Sequence, residues 1–457
     1  MNLTKVTLQI QNSSNSSDES TLMLSEEIGK NWTIPFHEPL NLCFGSASHQ
    51  VTVEPSSQDS VLLVSAALAS KWGLAHDDEL RLQYEPVSET IQIGPLIGVI
   101  VSRINRKAPY KPFGVNTSFC RELSDACKLE SSVVFFFTQE DVQKQTDSIK
   151  GWVYTNKWVS RRFPIPKVIY NRITSRKLER RASFQQFVKY AKARHNVVFF
   201  NEKYLNKIEV FHALKKEPEL HVYLPESHLL RNFQALKTMC NKYDVVFLKP
   251  TTGSLGIGII RIHRNANQTY TCHFNHLSGV RTQTYMSIEK LFHAISSKVR
   301  KSRYQIQRGL RLLTVAGRPV DFRALVQRGE TGQWSITSIV ARIAGNEQFV
   351  SNLARGGTIT TVRAALARSN ASAAVGGLSK LRRAALHIAK GIENRMAGHF
   401  AELGIDLALD SRGQVWLIEV NSKPSKDDTA PLSTENKIRP SVKKFVQYAH
   451  YSSSLKE

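Results

Sequence analysis

The sequence lacks the cysteine and apolar patterns that identify secreted and membrane-spanning proteins. Its five cysteines (Cys43, Cys120, Cys127, Cys240 and Cys272) form no C-x-x-C pair and no zinc-binding spacing. An odd number of scattered cysteines predicts buried thiols in a reducing compartment. The N-terminus has no basic segment followed by a long apolar core, and no apolar run approaches ~20 residues. We therefore expect a cytoplasmic protein without a membrane span.

Several catalytic and nucleic-acid-binding motifs are also missing. The fourteen histidines contain no H-E-x-x-H spacing, and no Ser-His-Asp or Cys-His arrangement is evident. Helix-turn-helix, zinc-finger and aromatic ribonucleoprotein motifs are absent too, so we do not expect a nucleic-acid partner. These absences exclude the commonest zinc peptidase and covalent hydrolase classes.

Acidic residues are scarce relative to basic ones. The 62 Lys and Arg residues outnumber 38 Asp and Glu residues, giving a formal charge of +24. The cations concentrate between Arg161 and Arg181 and between Lys298 and Arg311. This balance favours anionic partners such as nucleotides, acidic polymers or anionic surfaces. The alternative is that much of the charge is simply solvated surface.

A glycine-rich hairpin is the most informative stretch of the chain. The apolar run Val245–Leu248 predicts a buried strand that ends on Lys249, and Ile259–Ile262 predicts the returning strand. The turn between them, Gly253–Gly258, can bring backbone amides close to an anion. A P-loop or a dinucleotide fingerprint would lead into a helix instead. We predict a hairpin that lies over a polyphosphate; the alternative is an ordinary hairpin with a loose turn.

A second predicted hairpin carries carboxylates. The segments Gly404–Asp410 and Gln414–Asn421 flank a short turn, and an even loop would pair Asp406 with Glu419. One face of this hairpin would then be apolar, and the other would present Asp406, Glu419 and Asn421. Such hard oxygen ligands suit Mg²⁺ together with phosphate oxygens and water. The alternative is a surface carboxylate pair neutralised by arginines. The predicted apolar face consists of Ile405, Leu407, Leu409, Trp416, Ile418 and Val420.

The remaining pattern divides the chain into a β-rich beginning and a longer α/β part. Short alternating segments before residue 90 predict strands, and strand–helix–strand patterning from Ile91 predicts a parallel sheet. Further on, we predict a helix near Ser227–Tyr243 and a flexible loop over Ala364–Gly377. Apolar residues at helical spacing then predict a long amphipathic helix that packs against the core. These residues are Leu381, Ala385, Ile388, Ile392 and Met396.

As an ordered set, the two hairpins and the segments between them resemble an ATP-grasp domain over roughly residues 200 to 425. The matching motifs are Lys249-Pro with Gly253–Gly258, Asp321-Phe-Arg323, Arg342 followed by Asn352–Thr358, and Glu419–Pro424. Together with Gly114–Phe119, Gly151-Trp152 and Val168–Arg172, they resemble the YheC/YheD group, which is associated with the endospore coat of spore-forming bacteria. The resemblance implies an α/β (α+β) protein with a pre-ATP-grasp α/β domain (91–200) and an ATP-grasp domain (201–451). The first 90 residues lie outside the resemblance, and their strand pattern predicts a small β-rich domain (residues 1–90).

The resemblance also implies roles for individual residues. Lys249 and, less closely matched, Lys207 would contact phosphates of ATP. Arg323 and Arg342 would stabilise the transferred charge as catalytic residues. Asp406, Glu419 and Asn421 would hold Mg²⁺, with Mn²⁺ as an alternative ion. The backbone of the hinge would bind adenine, and the glycine-rich turn would cap the phosphates; these residues are Gln305, Ile306, Gln307, Gly253, Ser254, Gly256 and Gly258.

The implied function is an ATP- and Mg²⁺-dependent ligase that joins a carboxylate to an amine or thiol through an acylphosphate. The sequence identifies neither substrate, although basic residues near Arg355 favour an acidic one, such as a peptide or a cell-wall precursor. A nucleotide-binding structural protein of the spore coat, with little catalysis, is a second hypothesis. A nucleic-acid or polyanion binder, suggested by the basic charge, is a third. The sequence gives no indication of the oligomeric state.

Overall fold

A computed structural model describes residues 3–11, 20–142, 147–251, 256–276, 279–345, 356–369, 376–425 and 438–453. The first part of the chain closes into a β-barrel in the strand order β1–β5–β2–β4–β3–β7–β6. Alternating side chains fill its interior, because every second residue of each strand is apolar and buried. Its elements are β1 (Leu3–Gln11), β2 (Thr21–Ser25), α1 (Glu26–Trp32), β3 (Pro39–Phe44), β4 (Ala47–Ser56), β5 (Val61–Ser65), α2 (Ala66–Trp72), β6 (Glu79–Glu85) and β7 (Thr90–Gly94).

The barrel contains an internal repeat. The unit β2–α1–β3–β4 recurs as β5–α2–β6–β7, with matching residues forty positions apart. Each unit begins with a strand that ends on a serine, continues into a seven-residue helix that ends on a tryptophan, and returns as two strands. The equivalent pairs include Leu22 and Leu62, Ser25 and Ser65, Trp32 and Trp72, Leu40 and Leu80, and Pro55 and Pro95. The predicted β-rich beginning is therefore confirmed, and its two-fold organisation is a new finding.

The next part is a mixed sheet in the order β11–β10–β9–β8–β12–β13. Strands β8, β9, β12 and β13 run parallel, which confirms the predicted parallel sheet. One face packs on the barrel, and the other packs on α3 and on the last helix of the chain. The elements are β8 (Leu96–Val101), α3 (Thr117–Leu129), β9 (Val133–Phe137), β10 (Ser148–Thr155), β11 (Lys157–Pro164), β12 (Val168–Arg172), α4 (Arg176–Glu179), α5 (Ala182–His195) and β13 (Val198–Phe200).

A third sheet contains the glycine-rich hairpin, in the order β14–β19–β15–β16–β17–β18. Helices α7 and α8 cover one of its faces with an apolar core. Its elements are α6 (Lys207–Leu214), β14 (Ser227–Leu229), α7 (Phe233–Lys242), β15 (Val245–Pro250), β16 (Ile260–Arg264), β17 (Tyr270–His276), β18 (Gly279–Tyr285), α8 (Ile288–Lys301) and β19 (Tyr304–Arg308). The helix predicted from Ser227 is wrong at its start, because Ser227–Leu229 pairs with β19 as an extended strand.

A fourth sheet contains the carboxylate hairpin, in the order β23–β22–β21–β24–β25, with β20 paired to β21. Helices α6 and α10 share its apolar core, and α11 lies between this sheet and the parallel one. The elements are β20 (Thr314–Val315), β21 (Arg318–Arg328), β22 (Trp334–Ile343), β23 (Thr358–Thr361), α9 (Val362–Ala367), α10 (Gly377–Arg395), β24 (Glu402–Leu409), β25 (Val415–Asn421) and α11 (Pro440–Ser452).

Two predictions for the region before the carboxylate hairpin have opposite outcomes. The amphipathic helix is confirmed as α10, whose Leu381, Ala385, Ile388 and Ile392 are buried. The loop predicted over Ala364–Gly377 is wrong in its first part, because Val362–Ala367 is helical. Thr361 begins this helix by accepting a hydrogen bond from the amide of Ala364, and alanine favours helix.

All five cysteines are free thiols, and four of them are buried, as predicted. Burial raises the pKa of Cys240 and of Cys272 to about 12, so these thiols stay protonated at neutral pH. Within the described residues, no helix has both the length and the hydropathy that crossing a membrane requires.

Candidate functional site

Strand β15 positions the lysine at the base of the glycine-rich hairpin. Val246 and Leu248 point into the core under α7 and α8, so Lys249 points to the opposite face. There its Nζ donates to Oε1 of Gln307 at 2.5 Å. Burial and, secondarily, the ammonium of Lys207 lower the pKa of Lys249 to about 8, while Glu419 and Asp406 oppose the decrease. The half-buried lysine therefore lies within electrostatic reach of both predicted metal carboxylates.

The base of the glycine-rich turn is fixed to the neighbouring strands. Gly256 and Gly258 have φ of 69° and 77°, values that favour glycine. Asn275 donates from its side chain to the carbonyl of Gly256 at 2.9 Å, and its own carbonyl accepts from the amide of Gly258 at 3.0 Å. Tyr304 donates to the carbonyl of Gly258 at 3.2 Å. The predicted Gly253 and Ser254 lie outside the described residues, as do Asn352 and Arg355.

The predicted adenine hinge lies on β19. This strand is paired on both sides, with β14 and with β15, so the backbone of Gln305 and Ile306 is engaged in the sheet. Recognition of adenine at this hinge stays a prediction, and the backbone groups of these two residues already pair with β14 and β15. Gln307 remains at the site through its side chain, whose Nε2 has no hydrogen-bond partner among the described residues. The chain leaves the sheet only after Arg308.

A wide cleft opens where β19 ends. It has a volume of about 820 Å³, and Tyr243, Arg308 and Trp416 are among its lining residues. The guanidinium of Arg308 lies 4.4 Å from the ring centroid of Trp416, a stacked cation–π contact. The indole nitrogen of Trp416 donates to Asp410 at 3.0 Å. The sequence interpretation assigned neither Tyr243 nor Trp416 to a site.

The carboxylate hairpin has the predicted pairing at its functional end and an irregularity beside it. Asp406 pairs with Glu419, but the register shifts between Asp406 and Leu407, so Leu407 pairs with Leu417. This bulge overturns part of the predicted apolar face. Trp416 and Ile418 are half-buried and are not among the core residues of this sheet, and Val415 and Leu417 take their places in the core.

Two arginines converge on Asp406. Arg323 holds both carboxylate oxygens of Asp406, and Nη2 of Arg342 lies 3.1 Å from Oδ2. Arg342 also donates to both oxygens of Asp321, at 2.6 and 2.8 Å. Burial would raise the pKa of Asp406, but the two guanidinium groups lower it to about 2. The catalytic arginines predicted from the sequence and the first predicted metal ligand therefore form one charged network.

Lys207 joins this network from the start of α6. The side chain of Asn206 accepts from the amide of Ile208 at 2.9 Å and fixes the beginning of the helix. Nζ of Lys207 then lies 3.3 Å from Oε2 of Glu419. Lys207 at the start of α6, Lys249 of the third sheet, and Asp406 and Glu419 of the fourth sheet are thus brought together, with Asn421 two positions beyond Glu419 on the same strand.

The donor chemistry of the carboxylate face fits a magnesium ion. Asp406 and Glu419 supply carboxylate oxygens, and Asn421 offers an amide oxygen. Across the described ranges, no group of three or more His, Cys, Asp and Glu side chains could form a metal site alone. Such a face leaves coordination positions for phosphate oxygens and water, which is how Mg²⁺ is commonly bound in nucleotide sites. Mn²⁺ would accept the same oxygen ligands.

The segment that follows Asn421 is held by the parallel sheet, a feature that the sequence did not predict. Asn201, fully buried with φ of 53°, donates to the carbonyls of Ser422 and Glu402 and accepts from the amides of Ala401 and Glu402. One amide side chain therefore fixes the backbone at the start of β24 and just after the end of β25.

Replacing Asn201 with alanine should destabilise the protein by about 2 kcal/mol, because buried backbone groups lose their partners. Chemical denaturation would measure the change in the free energy of unfolding. Asn196→Ala is a matched control: Asn196 also has a positive φ, of 52°, but is exposed at the end of α5. Equal losses in the two variants would mean that only the backbone conformation matters.

Comparison with known proteins places this site in a class. The YheC/D-like ATP-grasp family matches residues 196–451, more than half of the chain. The chain belongs to the YheC/D-like ATP-grasp family. Its third sheet, which carries Lys249, and its fourth sheet, which carries Asp406 and Glu419, lie within the matched region, and the predicted α/β fold class is confirmed.

Two relatives share about a quarter of their aligned residues with this chain. The endospore coat-associated protein YheD of Bacillus subtilis is 27% identical over 365 residues, covering 80% of each chain. The endospore coat-associated protein YheC of the same organism is 24% identical over 307 residues, covering 66% of this chain and 83% of the relative. Among solved structures, a D-alanine–D-alanine ligase from Bacillus anthracis complexed with ATP aligns with a TM-score of 0.46 and 10% identity. That alignment covers 79% of this chain and 100% of the ligase.

Proposed function

We propose that the protein is an ATP- and Mg²⁺-dependent ligase that joins a carboxylate substrate to an amine or thiol. The observation that supports this most directly is the meeting of opposite charges from two sheets. Lys207 lies 3.3 Å from Glu419, and both Glu419 and Asp406 act on the ammonium of Lys249, so cations that can bind phosphate oxygens lie beside acids that can bind a divalent cation. Membership of an ATP-grasp family supports ATP-dependent ligation in general.

Each side chain has a role in this proposal. Lys249 and Lys207 bind phosphate oxygens, and Gln307 positions the ammonium of Lys249. Asp406, Glu419 and Asn421 hold Mg²⁺, while Arg323 and Arg342 orient Asp406 and neutralise charge that develops on the transferred group. Bound ATP and Mg²⁺ would supply the phosphoryl group that activates the carboxylate as an acylphosphate. We place the adenine near the cleft beside Arg308 and Trp416.

We also propose domains at residues 1–90, 91–200 and 201–451.

Stabilisation by a nucleotide provides the test. The non-hydrolysable analogue AMP-PNP should stabilise the protein by about 2.7 kcal/mol at a hundredfold excess over its Kd, and only with Mg²⁺ present. Glu419→Ala should remove this Mg²⁺-dependent gain in a thermal-shift measurement. Glu38→Ala, which changes an exposed acid of the barrel, is the control and should retain the gain. Equal stabilisation with Mg²⁺ and with EDTA would contradict the proposed metal site.

A second candidate follows from the names of the relatives, both described as endospore coat-associated. In that case the protein would be a nucleotide-binding component of a spore-associated assembly, with little catalysis. Under the first proposal we place it in the cytoplasm. Assembly that persists in Glu419→Ala, without ADP release by the wild type on any tested acid and amine, would favour this second candidate.

A further inference from the structure

The carboxyl-terminal edge of the parallel sheet is strongly basic. Strands β8 and β12 end at this edge, and the segments that leave them are residues 102–116 and 173–181. The first segment contains Arg103, Arg106, Lys107 and Lys111 and no acidic residue. The second contains Arg176, Lys177, Arg180, Arg181 and one acid, the buried Glu179. We call these two segments the basic edge.

The single acid of the basic edge does not neutralise its surface. Glu179 forms a buried ion pair with Lys423 and accepts from the side chain of Asn171 and the amide of Tyr204. The exposed cations Arg103, Lys107 and Arg181 therefore outnumber Glu140, an exposed acid that lines the same cavity as Arg103 and Arg181. Such a surface attracts anionic ligands.

The basic edge adjoins the proposed ligase site directly. Nζ of Lys423, two residues after Asn421, donates to the carbonyl of Ile173 at 3.2 Å. Arg176 donates to the carbonyl of Leu205 at 3.0 Å, two residues before Lys207. Burial lowers the pKa of Arg176, and Glu419 is among the anions that oppose this decrease. A chain lying along the edge would thus lead to the metal carboxylates.

A small cavity between the two segments offers a place for one side chain of such a ligand. Its volume is about 90 Å³, and its lining includes Arg103, Arg106, Thr138, Gln139 and Arg181. One guanidinium is already paired, because Arg106 donates to Asp141 at 2.9 Å, and Glu140 also lines the cavity. The remaining arginines present forked donors, which match the geometry of a carboxylate.

We propose that the basic edge binds an acidic polypeptide, whose successive carboxylates lie along residues 102–116 and 173–181 while one end enters the ligase site. This inference rests on the proposed ligase function and names its substrate class. A polypeptide fits better than nucleic acid, because Tyr110 is the one highly exposed aromatic residue on this edge within the described segments. Single-stranded nucleic acid is usually held by several stacked aromatic residues.

The test compares two variants with the same change in net charge. The edge variant is Arg103→Glu/Lys107→Glu/Arg181→Glu. The control variant is Lys290→Glu/Arg300→Glu/Lys301→Glu, three exposed cations on α8. The probe is a fluorescein-labelled oligoglutamate of about ten residues, and its binding is followed by fluorescence anisotropy with AMP-PNP and Mg²⁺ present. We expect at least about a tenfold loss of affinity in the edge variant and less than about twofold in the control.

Three outcomes would overturn the inference: no binding to the wild type, equal weakening in both variants, or tighter binding of an oligothymidylate of similar length that is lost in the edge variant. The last would identify a nucleic-acid surface. Binding of AMP-PNP with Mg²⁺ to the same proteins separates this inference from the ligase proposal. If the wild type binds the nucleotide but not the peptide, only the proposal for the basic edge is contradicted. If it fails to bind the nucleotide, the ligase proposal is contradicted.

Discussion

Replacing Lys249 with methionine should lower ATP-dependent turnover by about 10²- to 10³-fold. Methionine retains most of the apolar stem but removes the ammonium, and the loss of one preorganised charge donor costs about this much in other enzymes. Lys207 should not replace the lost ammonium, because it lies at the start of α6 beside Glu419 and has its own phosphate contact in this proposal. The measurement is ADP release, with binding of AMP-PNP recorded alongside it. Unchanged nucleotide affinity and turnover in Lys249→Met would contradict the assignment of this residue.

The pH dependence of nucleotide binding gives the same prediction an independent control. The pKa of Lys249 is about 8 in the folded protein. Nucleotide affinity should therefore be greatest below pH 8 and fall as the pH rises through that value, because the ammonium becomes neutral. The stability of the nucleotide-free protein should change with pH in the opposite direction. The folded state binds fewer protons than the unfolded state between pH 8 and 10.5, so stability from this group rises with pH in that window. Lys249→Arg should abolish both effects.

The sequence predicted the charged groups of the site because they lie on regular strands. Alternation along β15 places Lys249 opposite the core, and the short turn of the second hairpin aligns Asp406 with Glu419. Both inferences need only the two-residue period of a strand. The network of Asp321, Arg323 and Arg342 with Asp406 extends this result, since these residues lie on adjacent strands of one sheet.

Irregular pairing explains what the sequence could not predict about the site. The bulge beside Asp406 shifts one strand by a residue, and Trp416 therefore leaves the core to contact Arg308 and Asp410. An apolar pattern alone does not reveal such a shift, because tryptophan and isoleucine fit either face. The pairing on both sides of the predicted hinge strand could not be predicted for a related reason. The short strand Ser227–Leu229 resembles the start of a helix, so the second neighbour of β19 was not foreseen.

The repeat in the barrel was present in the sequence and could have been found there. A comparison of the first 95 residues with themselves aligns Ser25 with Ser65 and Trp32 with Trp72 without a gap. The apolar residues of the paired strands also align, because each unit fills half of the same interior. Single segments do not reveal the repeat, because each is too short to identify a fold.

The second large effect concerns the buried ion pair that Glu179 forms with Lys423, which lies two residues after the end of β25. Replacing Lys423 with methionine should destabilise the protein by about 3–5 kcal/mol, because it leaves the carboxylate of Glu179 buried without its cation. The two side chains are only 3% and 7% exposed. Burial lowers the pKa of Lys423 to about 8 even though Glu179 opposes the decrease. The attraction therefore does not fully offset the cost of desolvating the pair.

The double variant Lys423→Met/Glu179→Gln should consequently be more stable than Lys423→Met alone, since the glutamine removes the buried charge and still keeps one acceptor oxygen for Asn171 or Tyr204. Urea denaturation of the three proteins would measure these differences. Lys192→Met is the matched control: Lys192 also pairs with a glutamate, Glu202 at 2.7 Å, but is 40% exposed, so its loss should cost less than about 1 kcal/mol. A double variant no more stable than Lys423→Met would mean that packing of the lysine stem, rather than the unpaired carboxylate, dominates the loss.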